Sequence, residues 1–255
     1  MIKKYVLLPD LHFPHHNKKS VGAVFQFIEW FRPDGINLMG DALNMDAVDH
    51  WKLTKGAKKS METKRLAKEY QSFDEEILTT LEEITRPDCE KVFMGGNHED
   101  WANQVVEKMP QLEGMVEPEI CLDLENRKWK WIPWIDENHQ RGMYHYGKLL
   151  VMHGQYVNKY HAQKTAESYS KSVAYCHAHD IQMVTKVHMD NIEDFHTAQS
   201  IGCLCDTNAE YLRGRINRWV NAFGVLYVRE DGNYNLFVPI IIDGEFVFEG
   251  RTFRG

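Results

Sequence analysis

With 255 residues and 43% apolar content, the chain has enough material for one substantial core, and one α/β domain over 1–255 fits it better than two small ones. A formal charge of −7 excludes a global attraction for nucleic acid or an anionic membrane, so any polyanionic substrate needs local positive charge. Five scattered cysteines, an odd number, argue against a disulfide framework and for a reducing, cytoplasmic setting.

The opening MIKKYVLLPDLH has a short apolar run that meets Pro9 and Asp10. It is neither a signal peptide nor a membrane span, and no later segment is apolar for long enough to cross a bilayer. KKYVLLPD reads as a buried strand, followed by a helix over 20–31 (SVGAVFQFIEWF) with Ser20 as N-cap. GINLMGD (35–41) predicts a second strand. The run 58–85 predicts a long helix ending before Arg86-Pro87, and KVFMGGN (91–97) a third strand entering a glycine turn. This alternation predicts a layered α/β fold. Beyond about residue 126, RKWKWIPW, YHYGKLLVMHG and SVAYCH read as strands, with a helix near 159–171 before the last of them. From about 180 onwards short β-rich runs alternate with turns, including a hairpin signal at 230–233.

Each predicted strand delivers polar side chains just past its end: Asp10 and His12, Asp41, Asn97-His98-Glu99, His153, then His177 and His179. In open α/β sheets that edge is where sites are built. Asp-x-His on an extended backbone places both side chains on one side, as two ligands of one ion require. Asp, Asn and His together suit a divalent ion of intermediate softness, and five ligand-bearing segments exceed the needs of one ion.

The order Asp-x-His, Gly-Asp, Gly-Asn-His-Glu, His-Gly, x-His-x-His resembles the calcineurin-like metallophosphoesterase superfamily over residues 10–179. The C-terminal part looks most like stand-alone members carried by bacteriophages and prophages. The resemblance implies two packed mixed β-sheets in a sandwich flanked by helices. It also implies two divalent ions, manganese first, with iron, zinc or nickel as alternatives. Asp10, His12 and His179 would hold one ion, and Asn97, His153 and His177 the other, with Asp41 shared. A hydroxide held between the ions would attack phosphorus, with His98 as proton donor. Two such ions would bring the formal charge to about −3, easing the approach of an anion.

Two positions depart from the family pattern. Cys176 stands where glycine is usual, so the backbone there either avoids positive φ or carries strain; a cysteine beside a metal is also open to oxidation. GDALNMDAV lacks the arginine and aspartate that protein phosphatases carry after Gly-Asp, leaving Asn44 or Asp46 as partners for the histidines. The expected activity is therefore a phosphodiesterase or nuclease acting on nucleic acid or a nucleotide. A phosphomonoesterase is the alternative, and a non-catalytic metal-binding scaffold the reading of another class. Glu99, His15 and His16 are further candidates for supporting the site or touching substrate.

Plainer readings compete at several places. Cys176, His177 or His179, Cys203 and Cys205 can be combined into a zinc knuckle, although Cys203-Leu-Cys205 is spaced too tightly. RKWKWIPW alternates as a half-buried strand does, or offers tryptophans for base stacking. Seven basic residues between 52 and 68, and Arg213, Arg215 and Arg218, are either solvated surface or a positive rim for a phosphorylated substrate. His188 lacks a partner histidine two residues earlier and is not expected to be a ligand.

Overall fold

The computed structural model describes residues 1–49, 65–189, 191–208 and 216–255. In chain order the main elements are β1 (Lys3–Leu8), α1 (Lys18–Phe31), β2 (Gly35–Leu38), α2 (Leu66–Phe73), α3 (Thr79–Ile84), β3 (Glu90–Met94), α4 (Asp100–Lys108), α5 (Pro118–Cys121) and β4 (Trp129–Ile132). There follow β5 (Tyr144–Tyr146), β6 (Leu149–Met152), α6 (His161–Ser168), β7 (Val173–Tyr175), β8 (Met183–His188) and β9 (Asn191–Ser200). The last four are β10 (Gly224–Val228), β11 (Tyr234–Phe237), β12 (Glu245–Phe248) and β13 (Arg251–Arg254). A π-helical turn, Asp74–Leu78, joins α2 to α3. No helix among the described residues is long and apolar enough to cross a membrane.

Six strands form a mixed sheet in the order β11-β10-β1-β2-β3-β4, with β1 to β4 parallel and β10 and β11 antiparallel at one edge. A second mixed sheet has the order β5-β6-β7-β9-β8, with β6, β7 and β9 parallel. Strand side chains alternate between faces, and that alternation sorts the core into layers. Tyr5 and Leu7 of β1 and Val92 and Met94 of β3 face inward, against Leu149, Val151 and Ala174 of the second sheet. Val6, Leu8 and Phe93 face outward under α1 and the α2–α3 helix, against Val24, Phe27, Phe73 and Ile77. Leu150, Met152, Val173 and Tyr175 pack outward around Ala166 of α6. The result is the expected sandwich of two mixed sheets flanked by helices. Strands buried on both faces need uninterrupted apolar runs, which is why KYVLL and KLLVM carry no alternation.

Two details differ from the sequence reading. The helix over 20–31 starts two residues earlier, and its cap is Asn17, whose side-chain oxygen accepts from the Ser20 amide at 3.1 Å. YHYGKLLVMHG is a hairpin of β5 and β6 turning at Gly147 (φ 59°), where a Cβ would collide with the Gly232 carbonyl. The described part of the long helix begins at Leu66, and residues 58–64 lie outside the described residues. RKWKWIPW is the edge strand β4: Trp129 is buried with its Nε1 donating to Glu82 at 2.6 Å, and Trp131 packs on Phe93. Packing accounts for those tryptophans.

Candidate metal centre

Parallel pairing of β1, β2 and β3, in register from Leu8 to Leu38 and from Leu38 to Phe93, puts their C-terminal ends on one edge. The parallel pair β6 and β7 of the second sheet ends at the same place, and all five sequence segments converge there. Asp10, His12 and His179 offer donor atoms close together, as do Asp41, His153 and His177. Asn97 Oδ1 lies 3.3 Å from His153 Nε2, beside the second group. Asp41 connects the two. Its Oδ2 is 3.3 Å from His153 Nε2 and 3.7 Å from His12 Nε2. His98 stands at the rim with its Nε2 3.9 Å from the same oxygen and one face against Trp101, their centroids 4.1 Å apart.

The backbone achieves this convergence differently from the extended Asp-x-His expected. Asp10 (φ 40°), His12 (φ 50°), Asp41 (φ 48°), His177 (φ 68°) and His179 (φ 61°) all lie in the left-handed region, which side chains other than glycine rarely adopt. Such conformations persist where the surroundings over-determine them, and they cluster at functional sites. Cys176 is not among the positive-φ residues, so its position does not need glycine. Glycine is required at Gly96, where a Cβ would collide with the Asp41 carboxylate, and at Gly40 (φ 98°), where it would stand 2.6 Å from His153 Nδ1.

Supporting hydrogen bonds fix which nitrogen each imidazole presents. His12 Nδ1 meets Asn44 Oδ1 at 3.1 Å, His153 Nδ1 meets the Met39 carbonyl at 3.1 Å, and His98 Nδ1 meets the Asn44 carbonyl at 2.9 Å. These oxygens only accept, so each Nδ1 carries hydrogen and each Nε2 is left for the site, the arrangement metal-ligating histidines use. Asn44 thus supports two histidines at once. Asp46 Oδ2 pairs with His15 Nε2 at 2.7 Å. His16 is buried and stacked on Phe13 rather than open to substrate, and burial lowers it to about 4, with help from Lys18 and His15. His188 lies on exposed β8 beside His196, away from the cluster.

Glu99 works from beneath. Its Oε2 accepts from the Asp41 amide at 2.9 Å and the Gly96 amide at 2.7 Å, and its Oε1 from the Leu43 amide at 2.8 Å. It bolts the turn after β2 to the turn after β3, and at 1% exposure it is out of reach of substrate. Glu69 of α2 plays a similar part for the next loop, accepting from the amide of Met45 (φ 53°) at 2.6 Å. Burial pushes its carboxyl up from 4.5 to about 7. The unfolded chain releases this proton near 4.5 and the folded one only near 7, so across that window the folded state binds more protons and stability falls as pH rises. Glu69→Gln is expected to remove about 3 kcal/mol of that fall, read from denaturant unfolding at a series of pH values. Parallel wild-type and variant profiles would rule out Glu69 as its source.

The charge balance fits a cation site. Burial alone would raise Asp10 and Asp41, yet the imidazoles of His179 and His153 hold Asp10 at about 2, and those of His153 and His98 hold Asp41 well below the usual carboxylate range. Burial lowers His12 to about 3 and His177 to about 4, so both present lone pairs at neutral pH. Burial also works against charge on His153 and His179, but Asp41 and Asp10 overcome it and hold each at about 9. His12 Nε2 and His179 Nε2 approach to 3.1 Å, which requires a proton or a cation between them. Asp10 Oδ1 is buried without a hydrogen-bond partner, although His179 Nε2 lies 3.3 Å away. An orphaned buried carboxylate oxygen facing imidazole nitrogens is the donor set a divalent ion fits.

Part of the zinc-knuckle combination also comes together in space. Cys205 Sγ is 3.8 Å from His179 Nδ1, and Cys203 joins them. Cys176 stands apart, its thiol 3.3 Å from both the Met39 carbonyl and His153 Nδ1. It is fully buried and burial pushes it up, so it is held as a thiol.

Sequence reasoning missed the aromatic walls. Trp101 backs His98, Trp134 lies 5.2 Å from His153 and 6.2 Å from His177, and Trp219 lies 4.3 Å from His179, all between ring centroids. Each tryptophan is far in sequence from the histidine it touches or sits on another element, so no local pattern marks it. Arg213 and Arg215, and most of the 52–68 basic run, lie outside the described residues.

No family model and no curated protein matches the chain. Among solved structures it is similar to Vacuolar Protein Sorting 29 from Cryptosporidium parvum (12% identity, TM-score 0.43, covering 100% of this chain and 96% of that one). Similar too are Vps29 from Chaetomium thermophilum (11%, 0.39, 99% and 97%) and a single mutant of Vps29 from Entamoeba histolytica (11%, 0.36, 99% and 98%).

Proposed function

We propose that the chain is a stand-alone calcineurin-like metallophosphoesterase that hydrolyses a phosphoester with two divalent ions, manganese first among the candidates. Asp10, His12 and His179 would hold one ion, and Asn97, His153 and His177 the other, with Asp41 shared. The observation that carries the reading is Asp41 Oδ2, one buried oxygen facing both groups at 3.3 and 3.7 Å. Ions held there would supply the Lewis acidity that makes water nucleophilic near neutral pH and would offset charge growing on the phosphoryl oxygens.

The chain's own residues do the rest. Asn44 keeps the His98 Nδ1 proton engaged, so Nε2 is the atom that takes up a proton from solvent, and the doubly protonated ring hands it to the leaving oxygen. The His98 amide donates to Asp41 Oδ1 at 2.9 Å, which ties the proton donor to the shared carboxylate. Trp101 and Trp134 shield the imidazoles from bulk water and strengthen their electrostatics. A phosphodiester of nucleic acid or a nucleotide is the proposed substrate, because the motif arginine and aspartate of protein phosphatases are missing from GDALNMDAV.

The test is hydrolysis of nitrophenyl phosphate beside bis-nitrophenyl phosphate, with manganese and with chelator. Manganese-dependent cleavage with the diester preferred is expected. Preference for the monoester would turn the assignment to a phosphatase. Two bound ions without cleavage of either ester would favour a scaffold.

A further inference from the structure

Arg141 lies in the hairpin loop between β4 and β5, held by the bridge from Ile135 to Arg141 and by the Gly142 amide donating to the Trp134 carbonyl at 3.0 Å. That hairpin lays the guanidinium over the Trp134 ring, Cζ 3.9 Å from the centroid. Trp134 is itself packed against His153 and His177. The loop is pinned by close approach: a Cβ on Gly142 would collide with the Pro133 carbonyl.

What sets this arginine apart is that no hydrogen-bond acceptor meets its Nη1. That atom is buried, and among the described residues Arg141 forms no ion pair. The acidic group acting on it is Asp100, at the start of α4, whose oxygens already accept from Asn103 (3.4 Å) and Gln104 (2.9 Å). Tyr169, past the end of α6, is the other titratable group facing it. Other partly buried arginines of this chain are paired: Arg127 with Asp74 and Glu82, and Arg86 with Asp34. A buried donor left unmade is costly, and a planar fork stacked on an indole is pre-organised for an oxyanion.

We infer that Arg141, stacked on Trp134, is the residue through which the site grips the non-bridging oxygens of the substrate's phosphoryl group. This rests on the phosphoesterase reading and supplies the local positive charge that a chain of −7 requires. It also answers the arginine absent after Gly-Asp: the same chemistry arrives from a different loop, at a position with no motif. Burial lowers the guanidinium's pKa, and an arginine keeps its charge in the working pH range.

The test uses the manganese-loaded full chain and inorganic phosphate as probe, followed by calorimetry, with metal content measured on each protein. Wild type is expected to bind phosphate, Arg141→Ala to bind it about 10- to 100-fold more weakly with two ions retained, and Arg141→Lys to recover only part, since an ammonium neither stacks nor forks. With bis-nitrophenyl phosphate, KM is expected to rise more than kcat falls. Equal phosphate affinity in wild type and Arg141→Ala would overturn the arginine assignment while leaving the hydrolase reading intact. If wild type retains its ions yet neither binds phosphate nor cleaves ester, both fall together. Trp134→Leu separates position from charge. It keeps Arg141 but removes its platform, and unchanged phosphate affinity there would show that the stacking does not hold the guanidinium in place.

Discussion

His98→Ala is expected to lower kcat for ester hydrolysis by about 10²- to 10⁴-fold, the range a positioned general acid contributes, while two ions per chain remain bound. The geometry separates these two readouts. His98 is tied to the site by its backbone amide, which donates to Asp41 Oδ1 at 2.9 Å and survives truncation of the side chain. Its imidazole is 19% exposed, against 8% or less for His12, His153 and His179. A side chain at the rim can meet a leaving group; one sealed beneath it cannot. His98→Asn is the companion variant, since its amide can still donate to the Asn44 carbonyl but cannot transfer a proton, and it should be as inactive as alanine. Metal analysis and single-turnover rates decide the matter. Loss of an ion with the side chain would make His98 a ligand, and full activity in either variant would remove it from the proton path.

The sequence made the gathering of the site legible because parallel strands deliver their ends to one edge. Asp10, Asp41 and Asn97 each follow a buried apolar run, and pairing of β1, β2 and β3 leaves them nowhere else to go. The way each side chain is aimed was hidden. Asp10, His12 and Asp41 turn inward through left-handed backbone, a conformation imposed by long-range contacts such as the Asp41 amide on Glu99 and the His177 amide on Asp10 Oδ2 at 2.9 Å. Local propensity carries no record of those contacts. The cap of α1 was misplaced for a related reason: both Asn17 and Ser20 are good caps, and only the path of the preceding loop selects Asn17. Arg141 had no sequence signal at all, because its meaning depends on the indole beneath it and on the missing counter-ion.

Asp41→Asn is the substitution with the widest expected effect, and it tests whether one carboxylate serves both groups. Asparagine keeps an oxygen that can accept from the His98 amide, which leaves its Nδ2 hydrogens facing His153 and His12, where Oδ2 lies now. Donors pointed at a cation repel it, and one negative charge is lost from a site that is 2% exposed. Both ions are therefore expected to leave, the metal-to-protein ratio falling from two towards zero, with activity lost alongside. An alternative in which Asp41 serves one group alone predicts a ratio near one. The metal-free protein gives an independent reading. Without the Asp41 charge only the smaller pulls of Asp10 and Glu99 oppose burial at His153, so its pKa should fall from about 9. Proton NMR of the His153 ring follows this directly in the chelated protein. A His153 still charged at pH 8 in the variant would mean that Asp10 and Glu99, rather than Asp41, hold that imidazolium.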